Sequence, residues 1–272
     1  MSPDVGMLRR IDAYLDAVPR SVARTEEVGP FTLFVNEGDG WRYYARPRLG
    51  ETTCTAADVA RVRDRQRTLR QPEEIEWIAD LSPDVGRSAE AAGLAVTRMP
   101  LMHLPPDAFR PAPVTEGASV AFATPDDDLT SLSAVAIVAF DAPGTAVGDA
   151  GPEAVGRVAS GVPTGTTELW RERIANGLSV TAFATIDGTP VAVGTHQPVG
   201  EVTEIVGVGS LPAFRHRGLG AAITSALVQD ANRRGIGTIF LSAGDETIAR
   251  VYARLGFRTV GQVGAAEPAA ER

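Results

Sequence analysis

The chain has 272 residues, a formal net charge of −8 and one cysteine, Cys54. This length suffices for two domains, and 44% hydrophobic with 22% charged residues is typical of globular proteins. One cysteine excludes an internal disulfide, and no apolar run has the length of a membrane span or the form of a secretion signal. We therefore expect a cytoplasmic protein with no membrane partner. The negative charge also disfavours nucleic acid as a partner.

The first hundred residues carry the pattern of a small α/β domain. A hairpin is predicted from Phe31 to Val35 and from Trp41 to Ala45, around the turn Asn36 to Gly40. The next predicted elements alternate between helix and strand: helix 56–69, strand 75–78, helix 84–92 and strand 94–101. The first of these helices is rich in arginine, which predicts either a local anion patch or a solvated face: Arg61, Arg63, Arg65, Arg67 and Arg70.

Four prolines between Leu104 and Pro113 cannot continue a helix or a central strand. They predict a domain at 1–104, a linker at 105–114 and a second domain at 115–265. Residues 266–272 are predicted to form a disordered tail.

The second half alternates helices and strands in a longer series. Helices are predicted at 129–140 and 166–176, separated by a loop at 141–162 that is rich in Gly, Pro and Ala. The later elements are a hairpin at 178–186 and 191–197 joined by Asp187-Gly188, a strand at 202–208, a helix at 219–233, a helix capped by Asp245, and a strand at 257–260.

A turn rich in arginine and glycine joins strand 202–208 to helix 219–233. Backbone N–H groups at a helix N-terminus can bind an anion, and Gly218 and Gly220 place no Cβ in its way. A P-loop is excluded because the chain contains no lysine. A dinucleotide fingerprint is disfavoured because position 223 is Ile where a third glycine is required. The remaining interpretation is a diphosphate site of the form Arg215-x-x-Gly218-x-Gly220.

Three motifs together resemble the GNAT superfamily of acyl-CoA-dependent N-acyltransferases. The turn is similar to its diphosphate signature, (Gln/Arg)-x-x-Gly-x-(Gly/Ala). Glu204-Ile-Val resembles the run that opens with the general base, and Asp245 to Phe257, with Tyr252-x-x-Leu-Gly-Phe, resembles its C-terminal motif. The resemblance implies that the C-terminal half has the GNAT fold. This is an α/β fold of the α+β kind, in which helices pack on a mixed sheet. Because 91–96 faintly echoes 254–259, we interpret 1–104 as a degenerate GNAT-like half without a cofactor site; an unrelated α/β cap domain is the alternative.

The resemblance also implies an activity and a set of site residues. The activity is transfer of an acetyl group from acetyl-CoA to a primary amine of a small-molecule or amino-acid-like acceptor, by direct attack in a ternary complex without a metal. Glu204 is the implied general base, Tyr252 the implied general acid, and the 141–162 loop the implied acceptor lining. The implied cofactor contacts, which include an oxyanion N–H at Val208, are Val208, Ser210, Arg215, His216, Arg217, Gly218, Leu219, Gly220, Ala221 and Asp245.

Alternatives stay open at each of these positions. Glu204 is otherwise a polar residue on a solvated edge, and Tyr252 a core residue. His196 is either a proton relay or a structural residue, and Asp126 to Asp128 either attract an amine or cap a helix. The whole chain is otherwise a non-catalytic CoA-binding or interaction protein, or an enzyme for another acyl-CoA. The oligomeric state is open between a monomer and a homodimer.

Overall fold

The computed structural model describes residues 4–38 and 42–269. The chain divides into two compact units, the first formed by 1–101 with 259–272 and the second by 102–258. Its helices are α1 (Val5–Ala17), α2 (Ala56–Thr68), α3 (Asp84–Ala91), α4 (Leu129–Asp141), α5 (Pro152–Ala159), α6 (Thr164–Ala175), α7 (Leu219–Arg233) and α8 (Glu246–Arg254). Its strands are β1 (Arg24–Val28), β2 (Phe31–Val35), β3 (Arg46–Pro47), β4 (Ile75–Ile78), β5 (Leu94–Leu104), β6 (Ala118–Phe122), β7 (Val180–Ile186), β8 (Thr189–Val199), β9 (Val202–Ser210), β10 (Thr238–Ser242) and β11 (Arg258–Pro268).

The first unit contains a hairpin whose partner strand the sequence did not reveal. β2 pairs antiparallel with β1, from Arg24 opposite Val35 to Val28 opposite Phe31. On its other edge β2 pairs antiparallel with β3, from Phe31 opposite Pro47 to Thr32 opposite Arg46. The predicted hairpin was therefore wrong in part, because its second strand is Arg46–Pro47 and not 41–45. β1 was missed because its sequence, Arg-Thr-Glu-Glu-Val, lacks apolar alternation, whereas β2 is buried along its whole length. Residues 39–41 of the predicted turn and strand lie outside the described residues.

β11 lies between β4 and β5 in the sheet order. It pairs antiparallel with β4, from Val263 opposite Ile78 to Ala266 opposite Ile75. Residues 266–268, which we predicted to begin a disordered tail, therefore lie in a strand that the buried Val263 and Ala266 hold to the core. Residues 270–272 of the predicted tail lie outside the described residues.

The two halves of the chain contain the same order of elements. The series β1, β2, β3, α2, β4, α3, β5 is repeated as β7, β8, β9, α7, β10, α8, β11. The last helix of each series is followed by a glycine at positive φ, Gly93 at 82° and Gly256 at 103°. This order supports the tandem interpretation of the chain, which remains a hypothesis.

The second unit is built on a mixed sheet of order β10-β9-β8-β7-β6. Strands β6 to β9 are antiparallel neighbours, and β10 runs parallel to β9. The β7–β8 turn has both Asp187 and Gly188 at positive φ, as a tight hairpin requires. The predicted mixed α/β fold is confirmed. The predicted 141–162 loop was wrong in part, because it contains α5, which begins at Pro152.

Within the described residues, no helix has the length and apolarity needed to cross a membrane.

The packing of Gly264 on Trp77 provides a test of the β4–β11 contact. A Cβ at Gly264 would lie 2.4 Å from atoms of the Trp77 ring, which is buried. Gly264→Ala should therefore lower the free energy of unfolding by about 1–3 kcal/mol through overpacking. Urea unfolding followed by circular dichroism measures this effect. Gly237→Ala, at a glycine with no neighbour within 4 Å, is the matched control; equal midpoints for both variants would contradict the packing.

Candidate functional site

The first half of β9 directs alternate side chains to opposite faces of the sheet. Thr203 faces α7, because its Oγ1 lies 2.9 Å from Nδ1 of His196. Nε2 of that histidine lies in turn 3.1 Å from a carboxylate oxygen of Asp230 on α7. Since neighbouring residues of a strand point to opposite faces, Glu204 faces away from α7.

A bulge at Gly207 then exchanges the two faces. Gly207 has a φ of 62°, and the register with β8 shifts between Val193 and Thr195. Beyond this point Val208 faces α7, because a Cβ built on Gly220 would lie 3.7 Å from Val208 Cγ1. An extra residue in one strand reverses the alternation that follows it.

The bulge determines the position of the candidate base. Regular alternation along 202–208 predicts that Glu204 and Val208 share one face of the strand, and this prediction is wrong because of the bulge. Glu204 shares its face with Gly209, where a Cβ would lie 2.8 Å from Ala139 Cβ on α4. The carboxylate therefore belongs to the α4 side of the sheet and the α7 helix to the other side.

β9 also separates from β10 where the site begins. The parallel pairing runs from Thr238 opposite Val202 to Phe240 opposite Glu204. Within the described residues, no β10 partner continues the ladder beyond Glu204, so the β10-facing edge of 205–210 is open. Val208 and Ser210 lie on this open stretch.

The N-terminus of α7 meets the requirements of an anion site. Gly218 precedes the helix with a φ of 73° and makes no side-chain cap. The N–H groups of Leu219, Gly220 and Ala221 lie in the first helical turn, where no intrahelical acceptor exists. The Cβ position of Gly220 has only ordinary contacts, and Thr115 Oγ1 fixes the turn by donating to the Arg217 carbonyl. These N–H groups and the positive end of the helix dipole suit a diphosphate.

The corresponding helix of the first unit differs at this point. The Thr55 side chain caps α2 by accepting from the Asp58 N–H, and the Asp58 carboxylate accepts from the Thr55 N–H at 2.8 Å. Hydrogen bonds from Thr55 also lower the pKa of Asp58, which keeps this carboxylate ionised. The N-terminus of α2 is thus already satisfied and negatively charged, which does not suit a phosphate ligand.

Two of the three basic side chains of the turn bind backbone carbonyl groups. The Arg215 guanidinium donates to the carbonyl oxygens of Ala146 at 2.8 Å, Ala139 at 2.8 Å and Ala142 at 2.5 Å. Nε2 of His216 lies 2.8 Å from the Thr145 carbonyl oxygen. These carbonyl groups were missed in the sequence because a backbone acceptor leaves no residue signature.

The third basic side chain of the turn is exposed. The Arg217 guanidinium carbon lies 4.9 Å from the centre of the Phe214 ring. Of the two arginines of the turn, Arg217 is the exposed one, whereas Arg215 is half-buried.

The two predicted site residues of the C-terminal motif have different environments. Asp245 is exposed and caps α8 by accepting from the Ile248 N–H at 2.7 Å. Tyr252 packs edge-on against Phe257, with ring centres 6.0 Å apart, and burial raises the pKa of its phenol to about 12. The Tyr252 hydroxyl is therefore protonated at neutral pH and able to donate.

Other candidates have structural roles. Asp128 caps α4 by accepting from Ser131 N–H at 3.0 Å, and Asp127 accepts from Thr124 N–H at 2.7 Å, so this acidic run forms a cap and a turn. Cys54 is half-buried, and burial raises the pKa of its thiol. Among the described residues, no cluster of three His, Cys, Asp or Glu side chains is arranged to hold a metal.

The arginines of α2 are largely paired with acidic groups. Arg65 binds Glu26, and Arg63 and Arg67 both bind Glu73. These ion pairs favour the solvated face over the anion patch.

Comparisons with known proteins agree with this architecture. Residues 155–257 match the Acetyltransferase (GNAT) family. A GCN5-related N-acetyltransferase from Kribbella flavida is 21% identical, with a TM-score of 0.71 over 97% of this chain and 96% of its own. A GNAT-family structure from Novosphingobium aromaticivorans, described as a putative acetyltransferase, is 17% identical, with a TM-score of 0.54 over 93% of this chain and 92% of its own. A tandem GNAT protein from the clavulanic acid biosynthesis pathway is 14% identical with a TM-score of 0.55 over 89% and 79%.

The comparisons concern the fold of the chain and the segment that carries the candidate site. The chain has a mixed α/β fold of the GNAT type, shared with structures that span nearly its whole length. Residues 155–257, which include β9, the turn and α7, are the segment that matches the model of the Acetyltransferase (GNAT) family. No curated protein matches the sequence significantly.

His196 provides a test of the network between β8, β9 and α7. Burial lowers the pKa of His196 below its ordinary value of 6.5, although Asp230 opposes this shift. As the pH falls below 6.5, His196 binds a proton in the unfolded chain but stays neutral in the folded chain. The free energy of unfolding is therefore highest above pH 6.5 and decreases below it. His196→Gln should remove up to about 1.4 kcal/mol per pH unit of this slope.

Urea unfolding between pH 7 and pH 5 measures the slope. The wild type, measured in the same buffers, is the reference. An unchanged slope in His196→Gln would contradict the buried neutral imidazole.

Proposed function

We propose that this protein is an N-acetyltransferase that transfers the acetyl group of acetyl-CoA to a primary amine of a small-molecule or amino-acid-like acceptor. The observation that carries the proposal is the uncapped N-terminus of α7 beside the open end of β9, within the segment that matches the GNAT family. A cytoplasmic location and a chemistry without metal or nucleic acid are parts of the same proposal.

The turn and the first turn of α7 would hold the diphosphate of acetyl-CoA. The N–H groups of Leu219, Gly220 and Ala221 supply donors, and the exposed Arg217 adds positive charge. Val208 and Ser210 on the open edge of β9 would pair with the pantetheine arm. When bound there, the thioester supplies an acetyl group activated for attack by an amine.

Glu204 is the proposed base. An amine is mostly protonated at neutral pH and must lose a proton to attack a carbonyl carbon. Glu204 is half-buried on the α4 side of β9, where it would take this proton directly or through a water. The Val208 N–H would donate to the carbonyl oxygen as negative charge develops on it.

Tyr252 is the proposed donor to the leaving sulfur. Its phenol, with a pKa of about 12, is a weaker acid than a thiol, whose pKa is about 8.5. Complete proton transfer to a thiolate would therefore be unfavourable. The hydroxyl instead stabilises the departing sulfur by a hydrogen bond, and the thiolate takes its proton from the amine by way of the base or from water.

The side chains exposed near Gly209 favour an acceptor with an apolar part. Phe140 is 56% exposed, and its ring lies 3.5 Å from the Cβ position of Gly209 on the face that carries Glu204. Val147, in the following loop, is 62% exposed. Both side chains offer apolar contact area to an acceptor on the α4 side of the sheet.

The same observations support two alternatives. A CoA-binding protein without catalysis would use the same helix N-terminus, and a GNAT-fold enzyme for a longer acyl-CoA would use the same turn. Turnover and acyl-chain preference separate these alternatives from the proposal.

Gly220→Asp tests acetyl-CoA binding at α7. An acidic residue in the first turn of a helix stabilises the helix, and the Cβ fits beside Val208, so the variant should fold. Its carboxylate should repel the diphosphate and weaken acetyl-CoA binding by about 100-fold or more, since each tenfold corresponds to about 1.4 kcal/mol. Isothermal titration should show one site per chain in the wild type.

Gly220→Ala is the matched control, because a methyl group fits the same space without charge. It should bind acetyl-CoA within about threefold of the wild type, a difference below about 1 kcal/mol. Absence of binding in the wild type would contradict the acetyl-CoA assignment, and two sites per chain would contradict a degenerate first half.

Glu204→Gln and Tyr252→Phe test catalysis separately from binding. Both should keep acetyl-CoA affinity, while the rate of free thiol release in a screen of primary amines should fall by about 100-fold for Glu204→Gln, the usual scale of a lost general base. Tyr252→Phe should lose about tenfold, as for one lost hydrogen bond. Wild-type binding without thiol release from any amine would favour the non-catalytic alternative.

A further inference from the structure

The loop after α4 is attached to the β9–α7 turn along much of its length. We define the α4–α5 loop as residues 142–151 and the β9–α7 turn as residues 211–218. The backbone N–H of Gly148 donates to the Pro212 carbonyl at 3.2 Å, and the N–H of Ala213 donates to the Ala150 carbonyl at 3.1 Å. The loop is thus held to the turn by backbone contacts at its C-terminal end.

Arg215 makes the corresponding attachment at the other end of the loop. Its guanidinium binds Ala139 and Ala142, at the C-terminus of α4, and Ala146 in the middle of the loop. The last carbonyl groups of a helix lack intrahelical donors and lie at the negative end of its dipole, so they attract a cation. His216 adds a contact with the Thr145 carbonyl.

These contacts occupy most of the N–H donors of the Arg215 side chain. At least three N–H···O bonds of Arg215 go to carbonyl oxygens, out of the five N–H donors of a guanidinium. The side chain leaves the turn toward α4, whereas the diphosphate donors belong to α7. The first residue of the Arg-x-x-Gly-x-Gly motif therefore joins two loops.

We propose that Arg215 is a positioning residue that couples diphosphate binding at α7 to the ordering of the α4–α5 loop. This inference rests on the proposed function, because the loop carries Val147 and follows Phe140, the apolar side chains assigned to the acceptor. A ligand that holds the backbone of residues 215–218 also holds the base of the Arg215 side chain. The loop is then ordered before the acceptor arrives, and the acceptor binds a surface already formed.

Hydrogen exchange measured by mass spectrometry tests this coupling in the full chain, with CoA as the probe. In the wild type, saturating CoA should slow exchange in peptides from 142–151 by about fivefold or more. In Arg215→Met, the same peptides should exchange about tenfold faster without CoA, and CoA should give them no protection. The CoA affinity of this variant, measured by titration, should stay within threefold of the wild type.

Arg217→Met is the matched control, since it removes the cation that is exposed. It should weaken CoA binding about five- to tenfold, yet saturating CoA should protect the loop as in the wild type. Unchanged exchange in peptides from 222–233 will show that each variant is folded. If Arg215→Met does not fold, Arg215→Lys, which keeps the charge but cannot span three carbonyl groups, should show a smaller loss of loop protection.

The outcomes separate this inference from the proposed function. CoA that binds the wild type without protecting the loop would overturn the coupling alone. Loss of CoA affinity in Arg215→Met with loop protection preserved at saturation would also overturn it, because Arg215 would then be a phosphate ligand. Absence of CoA binding in the wild type would overturn the proposed function together with the coupling.

Discussion

The reversal of faces in β9 is the constraint on which the candidate site depends. Before Gly207 the strand belongs to a regular ladder, with Thr203 toward α7 and Glu204 toward α4. After it, Val208 lies against α7 and Gly209 against α4. A regular strand would place Glu204 and Val208 on the same face of the sheet. The bulge instead allows one strand to present a carboxylate to one face and, a few residues later, an open backbone edge next to a helix N-terminus.

The two units show why a shared order of elements does not imply a shared site. Both α2 and α7 follow a hairpin region and precede a short strand, yet their N-termini differ in charge and in hydrogen bonding. Thr55 and Asp58 satisfy the first turn of α2 and add a negative charge, while Gly218 leaves the first turn of α7 without a side-chain cap. An anion ligand and a capping carboxylate compete for the same N–H groups, so a helix with a capping box loses the ability to bind phosphate.

Sequence patterns predicted the parts of this structure that local chemistry controls. α7 has the predicted bounds, Leu219 to Arg233, because glycine precedes it and its apolar residues recur at helical spacing. The Asp245 cap and the Asp187-Gly188 hairpin turn were found for the same reason. The missed features depend on distant partners: β11 is held by β4, and the face of Glu204 depends on a bulge that shows in the sequence only as one glycine among several.

The carbonyl ligands of Arg215 belong to this second group, and they change the electrostatics of the site. The chain has no lysine and an excess of acidic residues, and Arg215 is directed to the C-terminus of α4. Attraction for the proposed diphosphate would therefore rest mainly on oriented backbone dipoles. Backbone donors are fixed by the helix and lose little conformational entropy on binding, whereas a flexible arginine must be ordered first. Affinity at such a site depends on the geometry of the turn. A side chain that fixes the turn against α4 can therefore order the neighbouring loop without contacting the ligand.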